Sequence, residues 1–363
     1  MTFLLLFLVS CARPGPPTPE ALGAPPRLVA PHASVYGTQH GVPRDAAVAA
    51  TARDLPWEES LSGAASGLAL AFLDGEPPDP WRARWAALAA GYPYPIVDMA
   101  VDRCSAGCSG DRVLNALETT LEPGDDLGLA RARGPLGDTW VGLVGRHTLA
   151  LTEVPRQAVR GADLALKVDP GPAGPDVTVT LVAPDGGLER APLGEGLGLT
   201  FDIGGAWWLQ VEDAGGVQAA FPVYVELDPP LSAPLDPHPV PPTSASQATA
   251  DTWLLLDAAR RHLDRAPLEE DPLLAAAARA HLRDRMAPET GPQSGPLAGS
   301  ADACRMSLAC APGPGEGPEA CVRAWLVDPP SRARLTDARC ALAGVAATAN
   351  GTRWAVQVEL GAR

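Results

Sequence analysis

Side chains able to do chemistry are sparse in this chain, which has six histidines and seven cysteines. His262 and His281 fall on two expected helices that can be neighbours, with Asp264 and Asp284 nearby. A histidine beside a carboxylate is the smallest acid–base pair, provided the groups converge in a cleft and their pKa values shift. The plain alternative is a solvated or packed helix histidine. His32, His40 and His238 lie in proline-rich stretches, and His147 follows a strand-like run. Other catalytic signatures are missing. In Gly63-Ala64-Ala65-Ser66-Gly67 the serine stands one place late for a nucleophile elbow. No H-E-x-x-H, phosphate-binding loop or dinucleotide fingerprint occurs. The sequence therefore assigns no catalytic residue, no metal and no cofactor, and reads as non-enzymatic.

The cysteines point to export. Phe3–Val9 is an apolar run too short to span a bilayer, which takes ~20 residues, and fits a signal peptide over residues 1–10. Leu8-Val9-Ser10-Cys11 resembles the lipobox of bacterial lipoproteins, although no basic residue precedes the apolar run. That resemblance implies cleavage before Cys11, lipidation of Cys11, and a membrane partner reached through the lipid. Cys104, Cys108, Cys304, Cys310, Cys321 and Cys340 then form an even set that an oxidising compartment can pair. Six cysteines allow 15 connectivities. Proximity favours Cys104–Cys108, Cys304–Cys310 and Cys321–Cys340. Zinc is the alternative, but no C-x-x-C pair occurs and no histidine lies close to either cluster.

Charge narrows the partners. The net charge is −15, and the basic residues are 27 arginines and one lysine, Lys167. That balance disfavours nucleic acid and broad binding to anionic membranes. An unknown small molecule or protein is left as the ligand. With 40 prolines and 37 glycines, the chain is no coiled coil or helical solenoid.

Several elements must position these residues. Residues 11–42 form a proline-rich tether, of which residues 12–35 could reach ~75 Å at ~3.1 Å per residue. Residues 43–138 read as mainly helical. Asp79-Pro80 is a helix start, and Trp81, Trp85 and Leu88 make an apolar stripe. Residues 139–228 carry short strand-like runs from Trp140–Val144 to Phe221–Val225, with a turn at Pro184-Asp185-Gly186. They predict a β-sandwich of immunoglobulin-like architecture. Alternation predicts that Trp207 and Trp208 face opposite ways, one into the core and one outward. Residues 229–249 are a proline-rich linker, and residues 250–363 form the last module. The fold class is thus α+β and multidomain.

The last module resembles the CAP superfamily of cysteine-rich secretory, antigen 5 and pathogenesis-related proteins. The residues that carry this are Ala259-Arg260-Arg261, Pro267–Leu273, Ala277-Ala278, His281 and Met286. They continue with Trp325–Arg332 against the family's W-x-x-S-P-x-H-R, and with Gly344-Val345-Ala346 followed by Trp354–Val358. The resemblance implies an α-β-α sandwich and a cleft that usually holds a divalent metal on two histidines and two acids. No histidine follows Met286, where Ala287–Gly291 stands, and Ser331 replaces the motif histidine. Glu316 sits too close to Trp325 for the family's acidic position. A serine hydroxyl is a poor zinc ligand, so no metal residue is carried over. His281, Glu289, Glu316, Ser331 and Arg332 remain as possible cleft residues.

Leu127–Ala130 with Trp140–Val144 echoes Leu342–Ala346 with Trp354–Val358. This is either an eroded second copy of the last module or two ordinary hairpins. The functional expectation is a binding or scaffold lipoprotein, lipid-anchored and extracytoplasmic at a bacterial cell envelope. Its alternative is a hydrolase of envelope polymers that uses His281 and nearby acids.

Overall fold

A computed structural model of the chain describes residues 33–37, 45–52, 55–74, 78–105, 107–169, 176–193, 196–230, 242–284, 293–296, 304, 306–311, 317–350 and 353–363. The expected signal peptide, Cys11, nearly all of the tether, Glu289, Glu316 and most of the linker lie outside these residues.

The first unit holds β1 (Val35–Tyr36), α1 (Ala46–Thr51), α2 (Glu59–Leu73), α3 (Pro80–Ala89), β2 (Ile96–Cys104), α4 (Asp111–Leu117), β3 (Asp126–Gly134) and β4 (Gly137–Gly145). Asp79 caps α3 through the Trp81 N–H, with Pro80 in the first turn. β2, β4 and β3 form an antiparallel sheet in that order. Leu127, Leu129, Trp140 and Val144 share one apolar cluster with Val48 of α1 and with Val113 and Leu117 of α4. Ala130, Ala132, Val141 and Leu143 join the cluster that holds the apolar face of α2. This corrects two expectations. Residues 43–138 are not mainly helical, and the strand at Trp140–Val144 belongs to this sheet and not to the sandwich. One partner, β3, is joined to it by a tight hairpin, but the other, β2, lies more than 30 residues back and α2 covers the sheet, which local pattern does not show.

The middle unit follows with β5 (Ala150–Leu151), β6 (Val154–Pro155), β7 (Gln157–Ala158), β8 (Asp163–Leu166), β9 (Val168–Asp169), β10 (Thr178–Val182), β11 (Leu188–Pro192), β12 (Leu197–Thr200), β13 (Gly205–Asp213) and β14 (Gly216–Val225). The main sheet is five-stranded, ordered β11-β10-β13-β14-β7; β12 pairs with β8, β5 with β9, and β1 with β6. Trp207 and Trp208 do alternate, yet both are buried. Trp207 packs edge-on against Phe201, and Trp208 packs edge-on against Trp85 of α3. The outward side of this sheet is covered by helices, so neither tryptophan faces solvent.

The last unit comprises α5 (Ala245–His262), β15 (Glu269–Glu270), α6 (Pro272–Asp284), β16 (Gln293–Pro296), β17 (Met306–Cys310), α7 (Pro318–Val327), α8 (Pro329–Thr336), β18 (Cys340–Asn350) and β19 (Arg353–Ala362). Its sheet runs β15-β18-β19-β17-β16. α6 packs on one face, and α5 and α7 pack on the other. The layers are α-β-α.

The first and last units share one register. In each, a parallel bridge precedes a helix: Trp57 pairs with Leu127 before α2, and Glu270 with Ala343 before α6. Glu58 caps α2, and Asp271 caps α6. The next residue, Gly128 or Gly344, lies so near its helix that a Cβ would meet Leu61 in one unit and Leu274 and Ala275 in the other. The hairpin β3–β4 matches β18–β19, and β2 flanks β4 as β17 flanks β19. In this register Trp140 answers to Val356 and not to Trp354, so the tryptophans that head the sequence echo are not equivalent.

Candidate functional site

His281 is placed by its helix and by a glycine. Asp271 accepts the Leu273 and Leu274 N–H groups at 2.8 and 2.9 Å and starts α6. Gly344 lets that helix approach β18 closely, because it has no Cβ to hold the Leu274 carbonyl away. Seven residues on from Leu274, His281 comes down on the same face. There its Nδ1 lies 2.7 Å from Glu359 Oε1 of β19. Ser307, directly opposite Glu359 on β17, donates its hydroxyl to the same oxygen at 3.0 Å. Gln357 Nε2 donates to it at 2.8 Å and also bonds Ser307 Oγ.

The chemistry of this quartet follows from its donors. A carboxylate only accepts, so Nδ1 carries the proton and Nε2 of the neutral ring holds the outward lone pair. Glu359 is fully buried, whereas the His281 side chain is 40% exposed. Glu359 Oε2 and Gln357 Oε1 have no partner among the described residues. The arrangement can take a proton at His281 Nε2 while Glu359 fixes the ring.

The first unit provides an internal control. In the shared register, Leu68, Leu143, Met99 and Val141 stand where His281, Glu359, Ser307 and Gln357 stand in the last unit. Leu68, Leu143 and Val141 are buried in one apolar cluster, with Met99 packed against it. The layered fold therefore forms with apolar side chains at these positions, and the polar quartet is not a requirement of the architecture.

The other expected cleft residues go elsewhere. Ser331 is fully buried and, with Asp328, caps α8: its N–H donates to Asp328 Oδ2 at 3.0 Å, and its hydroxyl bonds the same oxygen. Arg332 is buried as well. It donates through Nε to the Leu326 carbonyl and through Nη2 to the Val327 carbonyl at 2.9 Å. Its guanidinium lies 4.1 Å from the Trp208 ring centroid. Burial, and then the nearby Arg84 charge, lower the Arg332 pKa to about 9 against the opposing pull of Asp328. Neither residue opens onto a cleft beside His281.

His262 does not converge with His281 either. α5 and α6 lie on opposite faces of the sheet, and His262 packs edge-on against Trp85 at 5.6 Å. Its Nε2 is buried without a partner among the described residues, and burial pushes its pKa down to about 4. The disulfides are Cys104–Cys108, Cys304–Cys340 and Cys310–Cys321. The last two replace the pairing that proximity favours, because β17 carries Cys310 to the start of α7 while β18 begins beside Cys304. Asp337 lies next to the Cys304–Cys340 bridge. Those sulfurs are already oxidised, so this group supplies no thiolate to a metal.

Two features had no sequence signal. One is a second histidine–carboxylate pair. His147 Nδ1 lies 2.7 Å from the buried Asp126 Oδ2, which also accepts the Tyr92 hydroxyl at 2.8 Å. The bond to Asp126 raises the His147 pKa. The pair forms because Asp126 opens β3 opposite Gly145, at the end of β4. The other is a cleft of about 530 Å³ in the sandwich, between β10–β11 and β12. Val179, Leu181, Leu199 and Trp207 line it, with Asp185, Glu189 and Asp202 also on its walls.

No family model matches the chain, and no curated protein matches it. Among solved structures, it is similar in part to a cysteine-rich secretory protein from Staphylococcus aureus subsp. aureus Mu50, at 11% identity and a TM-score of 0.24. That match covers 44% of this chain and 56% of the other. So low a score carries neither a fold nor a function across.

Proposed function

We propose that the chain is a lipid-anchored, extracytoplasmic binding protein that does no chemistry on its ligand. The sandwich cleft carries this reading: it is an open recess of about 530 Å³, within the volume range of small-molecule sites, with apolar and carboxylate residues on its walls. The three disulfides fit an oxidising compartment. No helix among the described residues is long and apolar enough to cross a membrane, and Cys11 supplies the anchor in this reading. Two measurements test it. Radiolabelled palmitate should label the wild-type chain in bacteria and not the Cys11→Ser variant. The full chain with Cys11→Ser should bind the neutral dye Nile red saturably and lose it in Ala191→Phe, which fills the cleft from β11. Equal dye binding by both proteins would sink the binding reading.

A hydrolase is the second reading, favoured by the His281–Glu359 pair. His281 Nε2 would take a proton from water attacking an envelope polymer, with Glu359 as its positioning residue. Release of fragments from isolated cell-wall polymer by the wild-type chain, lost in a folded His281→Ala variant, would support it. No release by the wild-type chain on that polymer would leave the binding reading in place.

A further inference from the structure

We infer that the sandwich cleft takes a small cationic amphiphile: an apolar chain or ring bearing one ammonium or guanidinium group. This rests on the binding reading above and names the ligand class. The sandwich is open along one side. β11 is the edge of the main sheet, and β12 belongs to the facing two-stranded sheet. On the inward side of the main sheet, Val179 and Leu181 of β10 stand opposite Ala191 and Glu189 of β11. Across the gap, Leu199 is turned inward. Trp207 is held rigid at this wall, its Nε1 donating to the Ile203 carbonyl at 2.8 Å. The ring is buried at the base of the cleft, and the half-buried Ala191, Leu197 and Ile203 supply the apolar surface that a ligand can reach.

Charge then selects among apolar ligands. Asp185, Glu189 and Asp202 all line the cleft. Among the described residues, Asp185 accepts the Gly187 N–H of its own turn, at 2.9 Å. No ion pair satisfies any of the three among the described residues. No arginine, lysine or histidine among the described residues lines the cleft. Segments 170–175 and 194–195, which adjoin these strands in sequence, contain no basic residue. The one lysine, Lys167, lies beside Gly196 and does not line the cleft. Three exposed carboxylates beside an apolar wall repel an anionic headgroup and attract a cationic one.

The test uses the full chain with Cys11→Ser and three ligands of one length: decylamine, decanol and decanoate. Calorimetric titration below their aggregation limits should rank them amine, alcohol, acid. The amine should bind about tenfold tighter than the alcohol, and 1 M salt should reduce that advantage. Glu189→Gln with Asp202→Asn should bring the amine down to the alcohol and leave the alcohol unchanged. Ala191→Phe should abolish both. Alcohol binding that Ala191→Phe removes, with no preference for the amine, overturns the cationic assignment and leaves a binding protein. An amine preference untouched by the carboxamide variants also overturns it. No binding of either compound overturns both readings.

Discussion

A histidine bonded to a fully buried glutamate makes a prediction that its apolar counterpart sharpens. His281→Leu alone removes one donor from Glu359, whose Oε2 already has no partner among the described residues. The expected loss is about 1–3 kcal/mol, the cost of under-satisfying a buried charged acceptor. The double variant His281→Leu with Glu359→Leu copies Leu68 and Leu143 of the first unit. It should recover most of that loss, since replacing a buried polar pair with packed apolar groups is often neutral. Urea unfolding of both variants checks this. If the double variant is the less stable of the two, the two units are not interchangeable at this position. His281 was legible as a candidate from its helix and its acidic neighbours. Its real partner was not legible, because Glu359 is 78 residues away and the sheet brings it close.

At the scale of the element, two glycines of β-strands should differ. Gly344 faces the backbone of α6, whereas a Cβ at Gly198 of β12 would meet nothing within 4 Å. Gly344→Ala should cost about 2–3 kcal/mol by forcing the helix from the sheet. Gly198→Ala should change stability by no more than about 0.5 kcal/mol. Thermal unfolding of each compares them directly. The disulfides differ too. Cys310–Cys321 closes 11 residues and Cys304–Cys340 closes 36. Replacing each pair by serine should cost about 3 and about 4 kcal/mol respectively, from loop entropy in the unfolded chain. Equal losses would point to native-state packing instead.

At the scale of the whole molecule, the three units meet in one seam. Trp85 of the first unit packs edge-on against Trp208 of the second and His262 of the third. Arg332 lies over Trp208, Arg323 pairs with Asp79 at 2.9 Å, and Arg265 donates to the Pro184 carbonyl at 2.7 Å. One contiguous apolar cluster runs through all three units. Trp208→Ala should therefore cost about 3–5 kcal/mol and split a single calorimetric transition into two. A single transition that merely moves to lower temperature would show that the seam is not what couples the units. His262 adds a pH dependence. Its folded pKa is about 4, against about 6.5 in the unfolded chain. The unfolded state thus binds the extra proton between these values, so stability falls as pH drops from about 6.5 to 4, by on the order of 2 kcal/mol. His262→Gln should flatten that slope in urea midpoints measured across the window.

Sequence by itself determined the local features: the Asp79-Pro80 helix start, most strands of the sandwich, and the stock of pairable cysteines; the α-β-α layers of the last module are expected only from its resemblance. Each local feature depends on neighbours a few residues away, through caps, alternation or an apolar stripe. Tertiary structure alone decided which cysteines pair, that Trp140 serves the first sheet, that Trp208 is sealed by another unit, and that Ser331 and Arg332 are buried. It also decided that His281 meets Glu359 and that the sandwich stays open beside β11. These outcomes depend on which distant strands and helices come together, and short-range periodicity carries no record of that choice.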